Sequence, residues 1–369
     1  MFDIAYLLAG ALAALPLARG LLLGGGGDHI AFVHRLYRDA AYIGIAILAI
    51  VCLEVALRIS LENYWFAELG QSRRFWFSIE YRIGIFLVSL LLVGLFMGLN
   101  LWLLCHLLPI VPRSAPWIVG FAIAGLVGFL ATPLWVPLMR FLGATSADVA
   151  DPVFGKDLSF YLLALPLYDD VVGDIITIVF LTIVLWAVIG FAIRRATAVA
   201  VYHPHSGVAP HLNRNIVLAA QNWDRQLWLR QGLALAALLC LALGISRLLA
   251  RYHLVVAGHS KVVAGASFAD VNFWIPAYDL VVVCLWTAAA VLTLAVWLPR
   301  FRAWLLLHRS HWLTSLAVLV VLFFGAFAIP VAIEAIYVGP NQITLELPYL
   351  IRSIAGTRAA YNLAGPSVE

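Results

Sequence analysis

Charge is what this sequence has least of. Only 11% of its 369 residues are Asp, Glu, Lys or Arg, while 64% are hydrophobic; a soluble domain is about a quarter charged. That scarcity excludes water as the solvent for most of the surface, and the mean hydropathy of +0.99 agrees. The formal charge of +4 is spread over the loops and makes no basic face, which excludes the electrostatic footprint of a nucleic-acid binder. Cysteine is also scarce. Cys52, Cys105, Cys240 and Cys284 stand singly inside apolar runs, the pattern of small buried hydrophobes and not of disulfides or a metal site. Met1-Phe2-Asp3 lacks the positive n-region of a cleavable signal, so the first apolar run is read as a retained span. A P-loop, G-x-S-x-G, H-E-x-x-H and a dinucleotide-binding glycine motif are all missing, and with them the usual cradle chemistry of nucleotides and acyl transfer.

What is present is a series of long apolar runs. A hydrocarbon core of about 30 Å takes about 20 helical residues to cross. Runs of that length lie near 3–23, 41–60, 83–109, 117–138, 171–193, 230–250, 277–298 and 312–337. The first is interrupted by Pro16 and Arg19 and followed by Gly24 to Gly27, so it is the provisional one. The expected fold is all-α: a polytopic transmembrane helix bundle of seven to eight spans with interfacial helices in the outer loops. Three segments follow: 1–40, a provisional span and loop; 41–338, the bundle; and 339–369, an extracytoplasmic tail. Laid against one another, the spans show no internal repeat of convincing length. Spacings such as Ala124 and Gly128 are common in any membrane helix.

Arginine sets the orientation. Arg194, Arg195, Arg214, Arg225 and Arg230 fall in one connection and Arg300, Arg302 and Arg309 in another, with Asp224 the only carboxylate in either. Those connections are expected on the cytoplasmic side. Most carboxylates fall in the alternate loops, among them Glu62, Glu68, Asp151, Asp157 and Asp270, although Arg73, Arg74 and Arg82 weaken the contrast. The expected location is a bacterial cytoplasmic (inner) membrane, multi-pass, with the C-terminus outside. Residues 138–170 and 251–276 are too polar to span, yet carry Phe160, Tyr161, Phe268 and Trp274. They are expected along the outer interface as short helices.

Ionisable residues within spans are candidates for function by default. They are Glu54, Arg58, His106, Asp174, Asp279 and Glu334. Glu54 and Arg58 are four apart, the spacing of a helical ion pair. His106 has no second histidine in a facing span, which disfavours a haem held between two histidines and leaves a lone axial ligand to a pigment as the alternative. His203, His205 and His211 match no zinc spacing. No metal is expected, and no cofactor is named by the sequence. Asp151 and Asp157 have the residue type for the acid and base of a lipid-linked sugar transferase. An aspartate before Pro152 also suits a turn, and Asp157 before Leu158-Ser159 suits a helix N-cap.

Asp151-Pro152-Val153-Phe154-Gly155-Lys156-Asp157-Leu158-Ser159-Phe160-Tyr161, continuing to Leu165-Pro166, resembles the bacterial uncharacterised protein family zero-one-eight-two. So do Gly339-Pro340-Asn341, Glu346, Pro348-Tyr349 and Thr357-Arg358-Ala359-Ala360-Tyr361 in the tail. Weaker matches are Trp65-Phe66, Leu69-Gly70 and Phe75-Trp76, and Gly265-Ala266 with Asp270. The resemblance implies a seven-span protein whose last span leads into a large extracytoplasmic domain, with no established biochemical role and no catalytic residues to carry over. Gln342 departs from the family's usual glutamate. The chain ends just after the tail motif, so that domain is expected on a separate polypeptide, or this protein keeps only the membrane half.

The leading expectation is a non-enzymatic membrane subunit, a scaffold or assembly element of a cell-envelope complex that docks a protein partner on its outer face. The residues expected to carry docking or motif structure are Asp151, Pro152, Phe154, Asp157, Phe160, Tyr161, Asn341, Glu346, Pro348, Tyr349, Arg358 and Tyr361. A transporter or channel for a small solute or ion is the first alternative and a membrane transferase the second. The lipid bilayer is the partner every reading shares.

Overall fold

The computed structural model describes residues 50, 53–105, 113–202, 225–259, 265–307, 309–361 and 363. The segment 1–40 with its provisional span, together with Cys52, His106 and the cluster His203, His205 and His211, lies outside the described residues. The chain divides into two units, Met1–Tyr81 and Arg82–Glu369.

In the first unit a helix over 53–68 (α1) turns into the start of α2 (Ser72–Cys105). Gly70 makes the turn at φ +67. Its N–H bonds back to the Ala67 carbonyl and that of Gln71 to the Phe66 carbonyl, at 3.0 and 2.8 Å. This is a Schellman stop, which needs the left-handed residue that glycine supplies without a Cβ clash. Phe66 packs on Phe75 across the turn, their ring centroids 5.7 Å apart. The Leu69-Gly70 and Phe75-Trp76 pattern is thus the chemistry of one tight helical hairpin.

The second unit continues α2 and adds α3 (Ala115–Leu130), α4 (Trp135–Leu142), α5 (Leu165–Tyr202), α6 (Arg225–Val256), α7 (Ile275–Trp297), α8 (Pro299–Leu307), α9 (Arg309–Ile333) and α10 (Gln342–Ala360). Among the described residues there is no β-strand, only one isolated bridge between Ala150 and Asp157. Among the described residues five helical stretches are long and apolar enough to cross a bilayer: Ser72–Cys105, Phe160–Phe191, Gln226–Val256, Asp270–Trp297 and Val320–Val338. Ala115–Leu130 with Thr132–Leu142 makes a sixth if that pair, bent by 45°, is one span. The run at 117–138 is therefore a broken helix. Thr132-Pro133 breaks it, since proline lacks the N–H that would continue the ladder.

These helices are barely covered by one another. Leu87, Leu91, Phe180, Val188, Val283 and Phe324 are exposed along their spans. In water such a surface would collapse or aggregate; facing lipid it costs nothing, and association rests on close packing instead. Where helices meet, small residues bring the backbones together. A Cβ added at Gly120 of α3 would lie 2.6 Å from the backbone nitrogen of Gly98 in α2, and Gly128 faces the Phe86 carbonyl on the same seam. Val93, Met97 and Ala124 fill the space between. In the antiparallel pair α5 and α6, Trp186 covers Gly232 while Trp228 covers Gly190, with the two indoles stacked at 4.3 Å. Arg302 of α8 is buried and donates to the carbonyls of Ala295 and Val296 at 3.2 Å. It closes the C-terminal end of α7, where helix carbonyls lack partners.

The α2–α3 seam gives a direct test. Gly120→Ala pushes a methyl into the α2 backbone, which cannot rotate away as a side chain can. It should cost about 1–3 kcal/mol, read as a lowered midpoint of thermal unfolding in detergent. Gly125→Ala, whose nearest neighbour would be the Leu90 Cδ1 at 4.0 Å, should leave that midpoint unchanged.

Candidate functional site

Polar side chains gather at the end of the bundle where α6 stops and α5 and α7 begin. The loop before α5 is tied down by two aspartates. Asp151 is 4% exposed and accepts from the backbone N–H groups of Val153, Phe154 and Lys156 at 2.7, 3.0 and 3.1 Å, and from the Tyr161 hydroxyl at 2.6 Å. Pro152 sits at the first corner of this turn and Gly155 takes φ +65 at its close. Asp157 accepts from the Ser159 and Ala147 amides at 2.7 and 3.1 Å and from the Ser146 hydroxyl at 2.9 Å. These are turn and cap roles, and they consume the oxygens that an acid or base would need free. Burial raises the Asp151 carboxyl, but its hydrogen bonds from Tyr161 and the three amides outweigh that and hold it below the usual range. The hydrogen bond from Ser159 leads those that hold Asp157 well below it too.

The same construction recurs 110 residues later, counter to the expectation of no repeat. Gly265 has φ +99 where Gly155 has +65. Ser267 stands in the place of Asp157 and caps through its hydroxyl, which accepts from the Asp270 N–H at 3.2 Å. A five-residue π-turn follows in each, Phe160–Ala164 and Asp270–Trp274. Then come Leu165-Pro166 or Ile275-Pro276, and a tyrosine-aspartate pair, Tyr168-Asp169 or Tyr278-Asp279. Only Gly, Pro, Tyr and Asp are identical over these fifteen positions. A comparison of side chains therefore passes over what backbone geometry makes obvious.

Both copies converge on the last turns of α6. Asp279 pairs with Arg251 at 2.7 Å, and Asp169 pairs with His253. Arg251 also donates to the Tyr252 hydroxyl at 3.1 Å and lies over the rings of Phe154 and Tyr252, 5.5 and 5.0 Å from their centroids. Phe160 packs edge-on to Tyr252, and Tyr161, Leu165 and Leu249 form the apolar floor. Helices α5 and α7 thus both meet the end of α6 through equivalent aspartates.

The second loop has its own caged carboxylate. Asp270 is fully buried and accepts from the Ser267 hydroxyl and amide at 2.7 and 3.0 Å, from the His259 amide at 3.2 Å and from His259 Nδ1 at 2.7 Å. His259 stacks on Trp274 at 4.2 Å. The tail joins this cage: Glu346, 3% exposed, accepts from the Phe268 N–H at 3.1 Å, and the Asn272 amide donates to the Tyr349 hydroxyl at 3.2 Å. Burial is the main cause raising the Glu346 carboxyl above its ordinary value; the Phe268 N–H opposes it, while Asp270 and Glu334 add to it. His259, Ser267 and Arg251 were not among the residues singled out from sequence. Their signal, a serine or histidine beside Asp270, has meaning only once the loop is folded.

The remaining candidates lie apart from this end cluster. Arg58 donates to Glu54 from Nη2 at 2.7 Å and from Nε at 3.1 Å, within α1. Asp174 is half-buried in α5, and Glu334 begins the π-turn Glu334–Val338 that ends the last span. Asn341 caps the turn before α10, its carbonyl accepting from the Leu345 amide at 3.1 Å and the Thr344 hydroxyl at 2.9 Å. Pro348 lies inside α10, Arg358 in its last turn, and Tyr361 is exposed just beyond. Among the described residues no group of three His, Cys, Asp or Glu side chains is placed to hold a metal ion.

Apolar helices of this number and length define the class as a multi-pass α-helical membrane protein. Residues 40–369 match the Uncharacterised protein family (UPF0182), and the chain belongs to it. It is 27% identical over 365 residues to a UPF0182 protein of Bradyrhizobium diazoefficiens, covering 88% of this chain and 36% of that one. To UPF0182 proteins of Salinibacter ruber and a Synechococcus strain it is 28% identical, covering 87% and 91% of this chain and 33% and 38% of theirs. The chain thus spans about a third of the length of the curated relatives it matches. No solved structure matches it.

Two pH dependences of opposite sign follow. Asp151 and Asp157 have lowered carboxyls, so their contribution to stability is complete above the ordinary carboxylate range and fades as pH falls through the lowered values. Hydrogen exchange at the Val153, Phe154 and Lys156 amides should therefore quicken, relative to the intrinsic rate, only below about pH 4. Asp151→Ala should remove that protection at neutral pH and cost about 3 kcal/mol, given four donors left without a partner. Glu346 has a raised carboxyl, so its burial costs stability at neutral pH and that cost is relieved as pH falls through the raised value. Glu346→Gln keeps an acceptor for Phe268 and should raise the neutral-pH unfolding midpoint while flattening its rise on mild acidification.

Proposed function

We propose that this chain is a non-enzymatic integral membrane subunit, a scaffold or assembly element of a cell-envelope complex, which docks a protein partner on its extracytoplasmic face. The observation that carries the reading is that the aspartates of the end cluster are engaged in structural hydrogen bonds. Asp151, Asp157 and Asp270 spend their oxygens on their own loops, and Asp279 takes a hydrogen bond from Arg251, which also donates to the Tyr252 hydroxyl, so the carboxylates are engaged in holding the loops and helix ends together. Such engagement suits a platform better than a reaction centre.

In this reading the bundle has seven to eight spans in a bacterial inner membrane, with interfacial segments in the outer loops and the segments 1–40, 41–338 and 339–369 as span, bundle and outer tail. The arginine-rich connections lie inside, and the Asp151 loop, the Asp270 loop and the tail lie outside. A second reading, a transporter or channel, is favoured by Asp174, a half-buried carboxylate within a span for which no ion-pair or hydrogen-bond partner is present among the described residues. Glu54 and Asp279 favour it less, since arginines neutralise them.

Purification from native membranes in mild detergent separates the two. The docking reading expects a stoichiometric protein companion that is lost when exposed outer residues such as Pro152 and Tyr361 are altered and kept in Asp174→Asn. Recovery of the chain alone, monodisperse and partnerless, sinks it.

A further inference from the structure

The helix α10 has two faces of opposite use. One is fastened to the bundle end: Leu345 joins the cluster of Leu254, Ala269, Trp274 and Val338, Glu346 holds the Phe268 N–H, and Tyr349 meets Asn272 and Phe268. The other carries Ile343, Leu347, Ile351 and Ile354 at helical spacings of four, four and three. Their exposures are 86, 50, 58 and 44%. On a helix of 100° per residue these four fall within an arc of about 80°, turned roughly 150° from the fastened face. In a soluble protein such a stripe would be a liability.

We propose that α10 lies in the membrane–water interface with this stripe set among lipid headgroups and upper acyl chains. Three observations select lipid as the occupant. The helix follows the last span, Val320–Val338, after only the turn at 339–341, which places its start at the depth where that span ends. Its fastened face holds the first turn of the span Asp270–Trp297, which fixes its height at the same level. The last span itself presents bare apolar side chains, with Phe324, Ile329, Val331 and Ile336 exposed by 55–77%. Arg358 in the last turn of α10 supplies a cation for the phosphate layer, as interfacial helices commonly do. A depth of about 5–10 Å into the headgroup and acyl boundary is expected. α10 thereby becomes a float that holds the tail flat on the bilayer and fixes the height of the Asp270 loop. This inference needs the membrane setting but not the docking reading, and its failure leaves that reading untouched.

The test uses the full chain, with its four native cysteines replaced, in nanodiscs of phosphatidylcholine and phosphatidylglycerol. Single cysteines at Ile343→Cys, Ile351→Cys and Arg352→Cys carry an environment-sensitive fluorophore. The expected result is blue-shifted emission at 343 and 351, strongly quenched by lipids bearing a nitroxide near the headgroup and little by aqueous iodide, with the reverse at 352. Iodide quenching at all three positions overturns the proposal. So does shielding at 343 and 351 from both quenchers with cross-linking between chains, because a second copy would then be the occupant. All three sites are exposed, so the labels themselves do not threaten folding.

Discussion

Hydrocarbon offers no partner to a peptide N–H or C=O, and each group left unmade there costs several kcal/mol. This constraint orders the whole molecule. Within the spans it permits helix and little else, so irregular backbone is pushed to the helix ends, where it must still be closed by hydrogen bonds. The loops that begin α5 and α7 meet that demand with side chains: Asp151 and Asp157 in one and Asp270 in the other each accept from two or three backbone amides, and Ser267 accepts from that of Asp270. The π-turns that follow are the other face of the same problem. Phe160–Ala164 and Asp270–Trp274 each insert a wider turn just before a proline, whose missing N–H would otherwise leave a carbonyl of the preceding turn unpaired.

Association of the spans cannot draw on the hydrophobic effect, since lipid is as apolar as leucine. What remains is contact. Gly98 against Gly120 lets two backbones touch, and the Trp186–Trp228 stack fills the grooves that Gly190 and Gly232 leave open. The pairs Arg251–Asp279 and His253–Asp169 then set the height of α6 relative to its neighbours. Both are partly exposed, so each is worth little as energy, about 0–1 kcal/mol. Their value is as register marks, two equivalent aspartates aimed at one helix end.

Read along the chain, the apolar runs at 83–109, 171–193, 230–250, 277–298 and 312–337 overlap helices in the structure, because a continuous stretch of about 20 apolar residues has few alternatives. The family is legible too, since its motif residues are the ones that make turns and caps, and turn chemistry is local. Asp157 as a cap and Asp151 as a turn former could be read from their neighbours alone. The break at Thr132-Pro133 is not legible in the run at 117–138, because proline in membrane helices is often tolerated and only packing decides whether it bends.

Composition and residues a few positions apart settle the class, the helical character of the runs, the family, and the local work of Asp151 and Asp157. Tertiary structure alone decided the rest. That Asp169 and Asp279 are equivalents meeting at Arg251 and His253, that Glu346 reaches back to Phe268 across 78 positions, and that Ile343, Leu347, Ile351 and Ile354 are left bare are relations between distant segments. Such relations are carried by helix packing, which brings together residues that no local pattern connects.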